Sequence, residues 1–197
     1  FDALVNKAWY LHHTPEGRYY FDRQENLTKL LEELAAEAPQ PLIDDAIEKR
    51  LREMFDPSRK TVYDQVIPLP RLADVADRVR RGRILIIVNP DSRMPPEEVQ
   101  RFFEGLSQKN NLCVLTGGRT SMASLDQAAR ELYAAQRAEK RIGKTHPQRE
   151  DLDRKLQTYE QFLTSTVRSL FDQVLFPIQR AGRPPALRPK PLDQTWD

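Results

Sequence analysis

Hydrophobic spacing divides residues 1–58 into a helix, a hairpin and two further helices. The stretch WYLHHTPEGRYYF alternates apolar and polar residues around a Pro-Glu-Gly turn, which predicts a β-hairpin. Asn26 caps the next predicted helix, in which four leucines fall at i, i+3, i+4 and i+7. The last helix is predicted from Pro41 until Asp56-Pro57 ends it, because proline disfavours helix at the residue before it.

From Thr61 the pattern changes to short apolar runs separated by amphipathic segments. The runs TVYDQVIPL, RILIIVNPD and NLCVLTGG predict three strands, with helices between and after them. The run from Ile84 to Val88 is continuously apolar, which is expected where helices cover both faces of a parallel sheet. Apolar residues spaced by threes and fours from Asp151 to about Phe176 predict one long final helix.

These patterns predict an α/β chain with three parts. Residues 1–58 form a helix–hairpin–helix module that is winged-helix-like, with the hairpin as the wing. Residues 59–180 form a three-layer parallel α/β domain that includes the long C-terminal helix. Residues 181–197 are rich in proline and form a linker or tail. Because the chain begins without methionine and ends in this segment, we expect it to be part of a longer protein.

Composition excludes several classes of function. The 31 basic and 29 acidic residues leave a formal net charge of +2, which produces no strong field for nucleic acid or an anionic membrane. The single cysteine, Cys113, cannot form an intramolecular disulfide and is expected to be a buried structural thiol in a reducing, cytoplasmic environment. No apolar run approaches the roughly 20 residues that span a bilayer.

The turn in LCVLTGGRTSMASL follows a strand and precedes a helix, which is a common position for a phosphate-binding loop. A Walker A loop needs the pattern G-x-x-x-x-G-K-[ST], and GGRTS has neither its spacing nor its lysine. Two interpretations remain. In one, Arg119 binds an anion; in the other, Gly117 and Gly118 form a tight turn and Thr120 or Ser121 caps the next helix.

The strand RILIIVNPDSR ends near an acid, as a Walker B strand does, but Pro90 intervenes and Asp91 lies beyond the strand. Asn, Pro, Asp and Ser are all turn formers, which favours an ordinary turn. If the strands are parallel neighbours, however, these loops converge at the carboxyl edge of the sheet, where ligands bind in open α/β folds. The candidate anion- or nucleotide-binding residues are Asn89, Asp91, Thr116, Gly117, Gly118, Arg119, Thr120 and Ser121.

Basic and aromatic residues near the first hairpin are candidate nucleic-acid contacts, because such side chains reach phosphates and stack on bases. The alternative is a module in which the aromatic residues belong to the core and the charges face water. His12 and His13 are adjacent on a strand and point to opposite faces, so no metal site is predicted. No catalytic residue is identified. The candidate nucleic-acid contacts are Arg18, Tyr20, Arg23 and Lys29.

The runs YLHHTPEGRYYFDRQENLTKLLEELA and KNNLCVLTGGRTSMASLDQAARELYAAQRA, followed by a long helix, resemble part of a bacterial family of large predicted AAA+ ATPases. That family carries a domain of unknown function and is often encoded beside adenine-specific DNA methyltransferases in anti-phage or restriction-like operons. The resemblance implies that the P-loop lies upstream of the hairpin, so that ATP and magnesium belong to the parent protein and no cofactor to this fragment. It also implies partners: the rest of the ATPase chain and DNA-modification proteins of the operon.

Three hypotheses follow. The first is a noncatalytic accessory and interaction region of a larger ATPase, since every catalytic motif tested fails while the fold signals are strong. The second is a degenerate nucleotide-binding domain, in which Asp91 and the turn at Thr116 occupy Walker B and sensor positions. The third is a nucleic-acid-binding module that uses the first hairpin.

Overall fold

The computed structural model describes residues 11–13, 17–21, 26–56, 62–90, 97–117 and 121–192. Within these ranges it is a mixed α/β structure that divides into two compact units. The helical unit comprises Phe1–Asp44 and Asp126–Leu163, and the sheet unit comprises Asp45–Leu125 and Thr164–Asp197. The helices are α1 Leu27–Ala36, α2 Gln40–Phe55, α3 Ala76–Arg81, α4 Glu97–Gly105, α5 Ala123–Arg141 and α6 Arg149–Leu170. The strands are β1 Leu11–His13, β2 Tyr19–Phe21, β3 Gln65–Pro68, β4 Ile84–Ile87, β5 Leu112–Thr116, β6 Gln173–Ile178 and β7 Ala186–Pro191.

The first hairpin and the helix after it form in the helical unit as predicted. Strands β1 and β2 pair antiparallel. The side chain of Asn26 accepts a hydrogen bond of 2.9 Å from the Thr28 N–H and so caps α1. Leucines of α1 and alanines of α5 form one buried cluster with Leu152 of α6, which shows that the leucine stripe is a core face. The cluster is Leu27, Leu30, Leu31, Leu34, Ala134, Ala135, Ala138, Ile142 and Leu152.

The sheet unit contains a five-stranded sheet in the order β3-β4-β5-β6-β7. The three predicted strands, β3, β4 and β5, are parallel neighbours, as expected. All four residues of β4 are buried, which agrees with its continuous apolar run. One face of the sheet packs on α3 and α4, whose Val79, Val99 and Phe103 join it in a single core cluster.

The prediction of a wholly parallel sheet was wrong, because β6 and β7 pair antiparallel to the first three strands. The prediction of a helix continuing to Phe176 was also wrong: α6 ends at Leu170 and the chain then forms β6. Spacing alone did not reveal this end, since Leu170, Val174 and Phe176 fit a helical period and a strand period alike. The segment forms a strand because it pairs with β5, where Leu175 lies opposite Val114.

The proline-rich segment 181–197, predicted as a linker or tail, contributes strand β7 to the same sheet. Prolines are tolerated there because β7 is an edge strand, where an N–H facing solvent is not needed for the ladder. The Leu192 N–H donates to the Asp172 carbonyl at 2.7 Å, which extends the pairing beyond the strand. Among the described residues no helix is both long and apolar enough to cross a membrane.

Candidate functional site

Strands β4 and β5 end side by side, which brings two of the predicted loops together at the carboxyl edge of the sheet. Ile87 is paired with Leu115, and the Val88 N–H donates to the Leu115 carbonyl at 2.9 Å. The next residues in each chain segment are Asn89 and Thr116. Asn89 and Thr116 therefore lie at the same edge of the sheet, as the parallel order of the two strands predicts.

Gly117 occupies a position at which only glycine fits. A Cβ atom built there would overlap the carbonyl oxygen of Leu170 and lie 2.9 Å from the Pro90 Cβ. Real Cβ contacts are longer, so any side chain would force the end of α6 or the loop after β4 to move. The backbone at Gly117 is thus packed closely against the protein itself, which is a use of glycine other than ligand approach.

Ser121 caps the helix that follows the turn. Its hydroxyl accepts a hydrogen bond of 3.1 Å from the Ala123 N–H, the first residue of α5. This agrees with the interpretation of Ser121 as a cap. The other candidates at this edge, Asp91, Gly118, Arg119 and Thr120, lie outside the described residues.

Thr116, the last residue of β5, is fully buried although it is polar. Its hydroxyl oxygen has no hydrogen-bond partner among the described residues, and the same holds for the buried Oδ1 of Asp172. Asp172 precedes Gln173, the residue paired with Thr116, so both unpartnered oxygens lie at the same edge of the sheet. Sequence reasoning missed Asp172 because it assigned this segment to the interior of a helix.

Cys113 is only partly buried, whereas the sequence predicts a buried thiol. The Tyr63 hydroxyl donates to its sulfur at 3.8 Å, and the thiol donates to the Leu175 carbonyl at 3.5 Å. Burial raises the pKa of Cys113 above its ordinary value despite the hydrogen bond from Tyr63. The raised pKa favours the protonated thiol, which is less nucleophilic than the thiolate.

The residues predicted to contact nucleic acid are distributed around the first hairpin and α1. Arg18 is exposed. Lys29 forms a salt bridge with Glu32 on the next turn of α1, at 3.7 Å. Tyr20 lies in β2 opposite His12 in the backbone register, while its side chain and all of Arg23 are outside the described residues. Of the four candidate side chains, the structure describes only those of Arg18 and Lys29.

A cleft of about 700 Å³ lies within the helical unit, between α1, α5 and α6. Its floor is apolar and contains small side chains, and its rim carries charges. Glu32, Ala36 and Gln127 are exposed, so the cleft is an open groove rather than an enclosed cavity. We call it the helical groove; its lining residues are Thr28, Leu31, Glu32, Ala35, Ala36, Gln127, Arg130, Glu131, Ala134, Lys155 and Tyr159.

Arg130 fixes one wall of the helical groove. Its guanidinium donates to Asp126 at 2.7 Å, to the Ala38 carbonyl at 3.0 Å and to the side chain of Gln40. Burial raises the pKa of Asp126, but hydrogen bonds from Gln40 and Arg130 outweigh it, so the pKa lies below its ordinary value. Because Asp126 neutralises its charge and three of its donors hold other groups of the helical unit, Arg130 supports the groove wall.

The opposite wall presents two hydrogen-bond donors from α6. Lys155 and Tyr159 are four residues apart, so they lie on the same side of the helix. Among the described residues, neither side chain has a hydrogen-bond or ion-pair partner. Burial and then the charge of Glu131 raise the pKa of Tyr159, which keeps its hydroxyl protonated as a donor. Glu131 itself accepts a hydrogen bond of 2.8 Å from Gln127.

The helical groove was missed by sequence reasoning, although each of its helices was predicted. Periodicity identifies the buried face of a helix, whereas this groove is lined by residues on and beside that face on three helices distant in sequence.

Among the described residues, no three acidic, histidine or cysteine side chains form a group that could hold a metal ion. Comparison with known proteins finds no matching protein-family model, curated protein or solved structure.

Proposed function

We propose that this chain is a noncatalytic accessory and interaction region of a larger cytoplasmic AAA+ ATPase that acts in phage defence or DNA modification. In this proposal the helical groove receives an amphipathic helix from the rest of the ATPase chain, and ATP and magnesium bind elsewhere in that chain. The observation that carries the proposal is the open groove of about 700 Å³ between α1, α5 and α6.

The shape and lining of the groove favour a helix as its occupant. An amphipathic helix binds by placing an apolar face in a hydrophobic groove. Tyr159 and Ala35, which are half-buried, and the exposed Ala36 supply accessible apolar surface over a floor that includes the buried Leu31 and Ala134. The two alanines of α1 are small enough to admit side chains from a closely packed helix. Ala36 is exposed at the end of α1, so the groove is open to an incoming chain at that point.

Charge in the groove defines the chemistry of the partner. Arg130 is neutralised by Asp126, and Glu32 is paired with Lys29. The Lys155 ammonium and the Tyr159 hydroxyl are left as two donors on one side of α6. Two such donors suit a carboxylate, so we expect an Asp or Glu beside the apolar face of the partner helix.

Site-specific photo-crosslinking in the longer chain tests this proposal. A benzophenone amino acid replaces Ala36 in the groove, and the control carries it at the exposed Gln157, two residues from Lys155 and hence on another side of α6. We expect the groove probe alone to crosslink to one amphipathic segment of the ATPase chain, and Lys155→Glu to abolish the product. Crosslinks that are equal at both positions, or that survive Lys155→Glu unchanged, would exclude a helix bound in this groove.

A second candidate function is degenerate nucleotide binding at the carboxyl edge of the sheet. The observation that favours it is the unpartnered, buried hydroxyl of Thr116 beside the loop that begins at Asn89. The close packing at Gly117 weighs against it, since backbone N–H groups must be accessible to cradle a phosphate. A rise in melting temperature with millimolar ATP and magnesium, lost in Thr116→Val, would support this candidate, and an unchanged temperature would eliminate it.

The winged-helix interpretation is also kept as a proposal, supported by an antiparallel β1–β2 hairpin followed by two helices. It predicts that DNA binding weakens on replacement of Arg18 and Lys29 together by glutamine. Unchanged affinity in that double variant would remove the first hairpin from consideration as a wing.

A further inference from the structure

The net positive charge of the chain lies in the second hairpin, β6–β7. Residues 173–192 contain four basic residues and no acidic one. The remainder of the chain has 27 basic against 29 acidic residues, which makes it net negative by two. The overall charge of +2 therefore conceals a separation: one hairpin of charge +4 on an otherwise slightly acidic protein. The four residues are Arg180, Arg183, Arg188 and Lys190.

The fold exposes all four of these side chains. Leu187 of β7 is buried in the core of the sheet unit, so the alternate residues Arg188 and Lys190 point to the other face of the sheet. Both are exposed, as are Arg180 and Arg183 in the connection between the strands. Within the part of the chain that the structure describes, none of the four side chains forms a salt bridge or hydrogen bond.

The edge of β7 is unsuited to binding a further strand. The Leu192 N–H donates to the Asp172 carbonyl of the β6 side, so alternate N–H groups of β7 point inward and the others outward. Pro189 and Pro191 occupy outward positions and have no N–H to offer. A partner that adds a strand to this edge would lack two of its hydrogen bonds, which excludes β-augmentation as the use of the hairpin.

We propose that the β6–β7 hairpin is a contact surface for the phosphate backbone of double-stranded nucleic acid. Arg188 and Lys190 are alternate residues of β7, so they lie about 6.8 Å apart on the same face of the sheet. Two cations placed side by side in this way can contact phosphates of the same nucleic-acid backbone. Phe176 is half-buried and lies opposite Arg188 in the register, beside the charges.

This inference is independent of the proposed groove, because it uses other residues in the sheet unit. It also differs from binding by the first hairpin, whose candidate residues it does not include. The charge predicts a recognisable salt dependence: four phosphate contacts give a slope of log K against log salt of about −3.6. Binding is expected to be largely independent of base sequence, since contacts to phosphates fix the position of a protein on the duplex but carry no sequence information.

Fluorescence anisotropy of the whole 197-residue chain with a labelled 25-base-pair DNA duplex tests the inference between 50 and 200 mM salt. The test variant replaces Arg180, Arg183, Arg188 and Lys190 by glutamine. A matched control makes the same change at four exposed arginines near α3 and so removes the same charge. Those control positions are Arg71, Arg78, Arg80 and Arg81.

We expect the hairpin variant to lose at least tenfold in affinity at 50 mM salt, with a slope shallower by about 3.6, while the control stays within about threefold. The double variant Arg180→Gln with Arg183→Gln leaves both strands unaltered and removes two of the four contacts. Its slope should therefore change by about half as much as that of the hairpin variant. Equal losses in the hairpin variant and the control, or no binding to the duplex at 50 mM salt, would overturn the proposal. Tighter binding to vesicles of one-third phosphatidylserine than to the duplex would overturn it in favour of a membrane surface.

Discussion

Small residues have opposite roles in the two units of this protein: in one unit a glycine lets the chain close a surface, and in the other alanines border a surface that stays open. In the sheet unit, Gly117 lets the carbonyl of Leu170 and the ring of Pro90 close on the carboxyl edge of the sheet. In the helical unit, Ala35 and Ala36 border the helical groove of about 700 Å³, which no described side chain fills. The edge that most often binds ligands in α/β folds is occupied by the chain itself, and the open concave surface belongs to three helices.

The comparison shows why a glycine turn after a strand is weak evidence for a phosphate loop. A phosphate loop needs glycine so that a ligand can approach the backbone, whereas here the approaching group is the end of α6. Both uses leave the same letters in the sequence. The two uses differ in whether a ligand or the protein itself occupies the space beside the glycine backbone. A substitution that places a side chain in that space tests which of the two applies.

Filling the space at Gly117 should have the largest effect. Gly117→Ala places a Cβ atom on the Leu170 carbonyl, and we expect a loss of about 3 kcal/mol or more in the free energy of unfolding. Urea denaturation measures the change. Gly105→Ala is the matched control, because nothing lies within 4 Å of its Cβ position at the end of α4, and it should be neutral or slightly stabilising. Similar stability of both variants would mean that the edge is not closed by packing.

Removing the support of the helical groove should have the next largest effect. Arg130→Met breaks the hydrogen bonds to Asp126, Gln40 and the Ala38 carbonyl, for an expected loss of about 2 kcal/mol. The Arg130 side chain is 21% exposed, whereas that of Arg154, paired with Asp151, is 70% exposed. Arg154→Met should therefore change stability by less than about 0.5 kcal/mol. If the two variants unfold at the same urea concentration, the Arg130 network does not hold the groove wall.

A smaller effect of opposite sign is expected at Thr116. Thr116→Val replaces an unpartnered buried hydroxyl by a methyl group of similar shape, and should leave stability unchanged or raise it by about 1 kcal/mol. Thr116→Ser keeps the hydroxyl but removes a methyl group, for a loss of about 1 kcal/mol. Thermal unfolding distinguishes the two. A destabilised valine variant beside an unchanged serine variant would indicate that the hydroxyl serves a bound group.

The smallest effect is a dependence on pH. Hydrogen bonds from Gln40 and Arg130 outweigh burial and leave the pKa of Asp126 below its unfolded value of about 3.9. The stabilisation is therefore fully present above about pH 4 and is lost as pH falls through the lower, folded-state pKa. Urea midpoints measured from pH 6 to pH 2.5 should fall less steeply for Asp126→Asn than for the unaltered chain. Parallel curves would show that Asp126 does not contribute to acid sensitivity.

Local sequence patterns were sufficient to predict those helices and strands that bury one side against a single core. The cap at Asn26, the leucine stripe of α1, the first hairpin and the three parallel strands are all found where spacing predicts them. The placement of Asn89 and Thr116 at one edge followed from the parallel order of β4 and β5. These predictions succeeded because periods of about 3.6 and 2 residues report directly on which side of an element is buried.

The sequence by itself determined the mixed α/β character, the positions of the first three strands of the sheet and the absence of a lysine phosphate loop. Only the tertiary structure decided that Val174 belongs to a strand, that proline-rich residues complete the sheet, and that Gly117 packs against Leu170. Three further features are visible only in the tertiary structure: the presence of the helical groove, the position of Asp172 at the edge of the sheet, and the exposure of the basic side chains of the β6–β7 hairpin. The physical reason is that each of these depends on segments distant in the chain filling, or leaving open, the same space, and a local period contains no information about that.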